Sequence, residues 1–195
     1  VKVEIRLLQK NDTDQAKALW KSAFSDSDEY IDAYFKNKVL PGNSLGVFDG
    51  GLVSALHMIP YKIRVQGKAL DSAFIAGAAT VPHKRRQGLM KTLLYESLKL
   101  MRERGIAITH LYPFLHSFYE QFGWGTYSYV DKKKVAGGIG SAGVSETGDI
   151  SLLHALYQNM TRHTSGCVIR SEKEWKWRMD ELYADGGKVS LLCEN

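Results

Sequence analysis

Lysine, two arginines and a glycine are gathered in the stretch Pro82-His83-Lys84-Arg85-Arg86-Gln87-Gly88-Leu89-Met90. An apolar run, Ala73 to Val81, leads into it and a helical pattern starts immediately behind it. A chain that turns from strand to helix in this way brings backbone N–H groups without intrahelical partners to the positive end of the helix dipole. Basic side chains beside them complete a site for an anion. Neither G-x-x-x-x-G-K-[ST] nor G-x-G-x-x-G occurs, so the turn is neither an NTP loop nor a dinucleotide fingerprint. Further on, His110, His116, Tyr119 and Glu120 stand close in sequence. The two histidines and the glutamate read most simply as surface or structural residues. Tyr119 carries a phenol with a pKa of about 10, which keeps its proton at neutral pH and can act as an acid, although a tyrosine in so aromatic a stretch is often core.

These residues need elements to hold them. Met90, Leu93, Leu94, Leu98 and Met101 recur at helical spacing, with Lys91, Glu96, Lys99, Arg102 and Glu103 on the other faces, and Gly105 falls at the expected left-handed C-terminal cap. Ile106 to Leu111 reads as the next strand, which a right-handed crossover places parallel to the Ala73 to Val81 strand. Gly77 within that strand predicts a bulge or a close approach by another backbone. Upstream, Leu45 to Phe48 and Leu52 to Ile59 flank the turn Asp49-Gly50-Gly51, and Gln66-Gly67-Lys68 marks a second hairpin, giving an antiparallel meander.

The chain starts with an alternating segment, Val3 to Leu8, that predicts a half-buried strand with Val3, Ile5 and Leu7 inward. A helix capped by Asp12 or Thr13 then runs to Phe24 with Ala16, Leu19, Trp20 and Ala23 inward. A second helix, Asp28 to Lys36, clusters Tyr30, Ile31, Tyr34 and Phe35. After Trp124, a strand is predicted from Thr126 to Val135, and residues 137–148 read as a glycine-rich linker. Beyond it lie helical patterns at Ile150 to Met160 and Glu172 to Leu182, then a strand at Lys188 to Leu192. The chain stops in this strand, which suggests a fragment of a longer protein.

Of 195 residues, 44% are hydrophobic and 24% charged, an ordinary globular composition. The net charge of +5 suits an anionic ligand but is too small and dispersed to argue for nucleic acid. The run Lys132-Lys133-Lys134 reads as a solvated strand edge. No apolar stretch approaches a membrane span, and two cysteines without a secretory pattern fit a reducing cytoplasm. The histidines have no close ligand spacing with Cys167 or Cys193, so no metal is expected.

Arg85-x-x-Gly88-x-Met90 resembles the acyl-CoA motif [QR]-x-x-G-x-[GA] of the GNAT superfamily of N-acetyltransferases. Met90 departs from its last position, where the enhanced-intracellular-survival (Eis) type aminoglycoside acetyltransferases tolerate bulky residues. Tyr119, Phe122, Gly123 and Trp124 fit a second GNAT pattern, Y-x-x-F-G-[FYW], in the right order and with the right elements between. The chain is thus similar to the Eis-like branch over residues 1 to about 135. The resemblance implies an α/β (α+β) GNAT fold: a mixed, mostly antiparallel sheet with a splayed parallel strand pair and flanking helices. It also implies a GNAT domain over 1–136, a linker over 137–148 and the truncated start of a second GNAT-like domain over 149–195.

The implied activity is acetyl transfer from acetyl-CoA to a primary amine of a small molecule such as an aminoglycoside or polyamine, with no metal. The alternative is a catalytically silent CoA-binding sensor or structural subunit. In the first reading, N–H groups of Arg86, Gln87, Gly88, Leu89, Met90 and Lys91 wrap the pyrophosphate, and Arg85, Arg86 and Lys91 add charge. Ala78, Ala79, Thr80 and Val81 offer backbone groups to pantetheine, and Tyr119 is the general acid. Tyr34 and Phe35 stand where the family builds its acceptor wall, although a core role suits both. No general base is assigned. No nucleic-acid or membrane partner is expected, and homo-oligomerisation would run through a C-terminal part this chain lacks.

Overall fold

The computed structural model describes residues 3–129 and 144–192. Its main sheet runs in the order β1 (Glu4–Leu7), β2 (Ser44–Phe48), β3 (Leu52–Val65), β4 (Lys68–Thr80) and β5 (Ile108–Leu111). The first four strands are antiparallel neighbours, and β5 lies parallel to β4. The second hairpin turns on Gln66 and Gly67, both at positive φ, so Lys68 belongs to the strand. Two positive φ values in a row suit a two-residue turn whose twist matches the strands it joins.

Helices α1 (Thr13–Ala23) and α2 (Asp28–Asn37) cover one face of the sheet. Their core is the cluster of Leu19, Trp20, Ile31, Tyr34 and Phe35 over Ala55, Ile59, Ala76 and Ala79. Helices α3 (Leu89–Glu103) and α4 (His116–Glu120) cover the other face, where Leu93, Leu94, Met101 and Tyr119 meet Val47, Leu56, Ala73 and Ile75. The apolar spacing read from the sequence is the stripe by which α3 lies on the sheet.

The start of the chain differs from expectation. Ile5 is 39% exposed and Val3 45%, while the Arg6 guanidinium lies 3.7 Å from the Phe48 ring centroid and pairs with Asp12. An edge strand can lay a long cationic side chain over an aromatic neighbour, and here that contact replaces burial of its apolar face. Asp12 consequently does not cap α1: its carboxylate takes hydrogen bonds from Arg6 and from the Gln9 N–H.

After Trp124 the predicted strand is not formed at residues 126–129, and residues 130–135 lie outside the described residues, as do 137–143 of the predicted linker. Val144–Glu146 forms β6, followed by α5 (Ile150–Thr161), β7 (Cys167–Ile169), α6 (Glu172–Ala184) and β8 (Ser190–Leu192). The strands β6 and β8 pair with each other. Strand β7, three residues long and without a periodic signal in the sequence, joins the main sheet. Strand β3 outruns β2, which leaves Lys62–Arg64 free to pair with β7. Among the described residues no helix is long and apolar enough to cross a membrane.

Candidate functional site

The bulge forecast at Gly77 organises the site. Along β4 the register with β3 shifts so that Ala79 faces Ala55 but Ala76 faces His57. Two residues, Gly77 and Ala78, therefore stand opposite one, Leu56. Gly77 takes φ +57°, in the left-handed region, and leaves no room for a side chain: a Cβ there would lie 2.6 Å from Trp20 Cε3 and 2.7 Å from His57 Cδ2. Glycine satisfies both demands.

The bulge coincides with the end of strand pairing on the other side. β4 and β5 pair from Ser72↔Ile108 to Ile75↔Leu111 and no further. Beyond this point β4 keeps β3 on one edge, with Val81 N–H donating to Val53. The alternation of an antiparallel ladder turns the backbone groups of Ala78 and Thr80 toward the vacated edge. The Thr80 carbonyl accepts there from Arg85 Nε at 3.0 Å. Ala79 is buried under the Trp20 cluster, while Ala78, Thr80 and Val81 are half-buried.

The turn follows. Pro82–Lys84 form a short 3-10 turn, Arg86 and Gly88 take φ +61° and +80°, and Gly88 caps α3 without any side-chain hydrogen bond. No acceptor among the described residues meets the backbone N–H groups of Arg86 to Lys91, and the first turn of α3 carries no acidic side chain. A Cβ built on Gly88 meets nothing within 4 Å. Alternating backbone hands at a helix start make an anion-binding concavity. Arg85, Arg86, Gln87 and Lys91 are exposed around it, and Leu89 and Met90 turn inward to pack against the Leu93 cluster. Lys84 is committed elsewhere, its ammonium 2.6 Å from Asp49, which ties the turn to the first hairpin. The ion pair holds the Asp49 carboxyl below its usual range.

Tyr119 belongs to the same apolar cluster as Ala78, Val81, Leu89 and Met90. It is 6% exposed and packed edge-on against Phe114, Phe118 and Trp124. Burial raises the phenol pKa. Tyr119 also lines a cavity of about 360 Å³ beside β5, shared with His110, His116 and Trp124. His116 and Glu120 are exposed, in line with their bland reading. His110 is not a satisfied structural residue: it is 7% exposed, burial pushes its pKa down, and its Nδ1 has no partner among the described residues.

On the opposite face, Tyr34 and Phe35 are core residues around Trp20. The Trp20 indole N–H donates to Asp26 at 2.7 Å. No sequence signal marks Asp26, which lies in a short connection between α1 and α2, and only the fold shows its carboxylate tethered to the ring that covers the bulge. Burial, then Glu181, Asp26 and Asp185, raise the pKa of Tyr30. His57 lies beneath, 1% exposed, with Nδ1 2.8 Å from the Ser44 hydroxyl, and burial lowers its pKa to about 4. It is a neutral packing residue.

Comparison with known proteins agrees with this geometry. The family model described as "Acetyltransferase (GNAT) domain" matches residues 4–127. An uncharacterized N-acetyltransferase of Streptomyces avermitilis is 23% identical over 154 residues, covering 71% of this chain and 37% of that protein. Among solved structures, a probable N-acyltransferase of Enterococcus faecalis V583 superposes with a TM-score of 0.73 at 19% identity, covering 91% of this chain and 48% of that one. Eis1 from Mycobacterium abscessus gives a TM-score of 0.72 at 19% identity, covering 98% and 51%. The chain thus spans about half the length of these structures, and less of the curated relative. With the matched segment running from β1 past Trp124 and holding the bulge, the turn and Tyr119, the chain belongs to the GNAT acetyltransferase family.

Proposed function

We propose that this chain is the acyl-CoA-binding part of an Eis-like N-acetyltransferase that moves an acetyl group from acetyl-CoA to a primary amine of a small molecule such as an aminoglycoside or polyamine. The observation that carries the reading is the parting of β4 from β5 after Ile75 and Leu111, because it opens a strand edge that leads straight into the unsatisfied N–H groups of the Arg86–Lys91 turn. An extended amide-containing chain ending in phosphates fits such an edge and turn. The empty Cβ position at Gly88 and the lack of a first-turn carboxylate leave room and charge for the phosphates. The similarity to Eis1 supports the branch, and the substrate class rests on that branch.

In this reading Ala78, Ala79, Thr80 and Val81 hold the pantetheine stretch, with outward backbone groups of Ala78 and Thr80 pairing its amides. The N–H groups of Arg86, Gln87, Gly88, Leu89, Met90 and Lys91 hold the pyrophosphate, assisted by the side chains of Arg85, Arg86 and Lys91. Bound acetyl-CoA supplies an activated thioester. A backbone N–H near the bulge stabilises the oxygen of the carbonyl as the neutral amine attacks it. Tyr119 gives its proton to the sulfur as the C–S bond breaks; its raised pKa keeps the proton on the phenol until then. The amine nitrogen loses one proton to water as the amide forms, and the Tyr119 phenolate takes one back from water, which closes the cycle on amide and free thiol. Asp26 beside Trp20 offers a carboxylate to hold a second, charged ammonium of such a substrate while the reacting amine stays neutral. Thiol release by the full-length protein with acetyl-CoA and a panel of amines tests the reading: amine-dependent release supports it, and tight CoA binding without release favours the sensor.

A further inference from the structure

On the proposed acceptor side, a buried ion pair joins the family segment to a helix that lies outside it. Lys38, at the end of α2, places its ammonium 2.8 Å from both carboxylate oxygens of Glu181 on α6. Oε2 accepts the hydrogen bond, whereas Oε1, at the same distance but a poor angle, is held by charge alone. Each side chain is only 9% exposed, and the Lys38 ammonium also sits 4.9 Å from the Tyr34 ring centroid. Two exposed contacts, Ser27 to Asp185 and Asn37 to Asp180, join the same helices. Glu181 lies far outside the segment 4–127 that matches the family.

Resting on the functional reading above, we propose that Glu181 is a positioning residue: through Lys38 it fixes α2, and so sets the Tyr30–Tyr34–Trp20 wall and Asp26 against the amine. A buried ion pair adds little net stability but is costly to halve, because the surviving charge must leave the interior. Removing the Glu181 charge leaves Lys38 with no buried counterion, and the end of α2 must move to hydrate it. Tyr34 moves with α2, since Lys38 follows it by one helical turn, and Tyr34 packs 5.0 Å from Trp20, the ring that holds Asp26. Among the described residues no hydrogen bond or ion pair joins this pair to β4, the turn or α3; the wall meets the CoA side only where Trp20 packs on the Gly77 bulge, so the coupling falls mainly on the amine.

The test uses the full-length protein with spermidine and kanamycin as probe amines. Glu181→Gln should raise the amine KM by about tenfold while leaving acetyl-CoA affinity within about twofold. Hydrogen exchange should quicken across Tyr30 to Asn37 and stay unchanged in α3. The double variant Lys38→Met/Glu181→Met removes the stranded charge, and should restore the amine KM and the α2 protection. An unchanged amine KM and unchanged α2 exchange in folded Glu181→Gln would overturn the proposal, as would equal losses for amine and acetyl-CoA or failure of the double variant to rescue. A wild type that releases no thiol with any amine would overturn the functional reading, and the exchange pattern alone would then decide whether Glu181 holds α2.

Discussion

Trp20 closes on Gly77 so tightly that a β-carbon at residue 77 would stand 2.6 Å from Trp20 Cε3. This one contact joins the two halves of the proposed site: the indole belongs to the acceptor wall, and the glycine is the bulge at which the cofactor edge opens.

Gly77→Ala should therefore be costly in two ways. The added methyl meets Trp20 and His57, and the backbone must hold a left-handed φ that alanine disfavours. A loss of at least about 2 kcal/mol in denaturant unfolding is expected. A variant as stable as the wild type would mean that the bulge can be relaxed without penalty.

Gly88 is the opposite case, because a side chain there meets open space in the protein itself. Gly88→Val should leave the core intact and weaken acetyl-CoA binding by about tenfold or more, since the side chain fills the phosphate cradle and strains the turn. Calorimetry giving an unaltered affinity would remove the turn from the cofactor site.

Asp26→Asn keeps a hydrogen-bond acceptor for the Trp20 indole and removes the charge. If the carboxylate orients a cationic amine, the amine KM should rise by about tenfold while acetyl-CoA affinity holds. Steady-state kinetics against each substrate separates this from a packing effect, which would alter both.

Stability should also fall with acid before Asp12 and Asp49 titrate. The folded His57 pKa of about 4 lies below its ordinary value of 6.5, so the unfolded chain binds the extra proton first. The folded state is fully favoured above pH about 6.5 and loses stability as pH falls toward 4, by at most about 3 kcal/mol from this residue. His110, also lowered by burial, acts in the same direction. Asp12 and Asp49 have lowered carboxyl pKa values, so their contributions vanish only at more acidic pH. His57→Gln should be less stable at pH 7 yet flatter in this window; an equally steep curve would assign the effect elsewhere.

Sequence reading reached the cofactor side further than the acceptor side, for a physical reason. The bulge, the turn and α3 are encoded within one continuous stretch, where Gly77, Gly88 and the spacing of Leu93, Leu94 and Met101 each impose a local geometry. The proposed acceptor wall depends on residues distant in sequence: Trp20 against Gly77, Asp26 on Trp20, Glu181 on Lys38. Periodicity cannot report such pairs. The Arg6 contacts that leave Ile5 exposed were hidden for a related reason, because alternation gives which residues share a face but not which face finds a partner. The short strand β7 left no periodic signal, and its place follows from the overhang of β3.

The hydroxyl of Tyr119 separates the proposed general acid from a packing residue. In the full-length protein, Tyr119→Phe keeps the ring against Phe118 and Trp124 and removes only the hydroxyl. Acetyl-CoA affinity by calorimetry should hold within about twofold, while turnover falls by roughly a hundredfold to ten-thousandfold. Full turnover with a good acceptor amine would contradict the assignment of Tyr119 as the general acid.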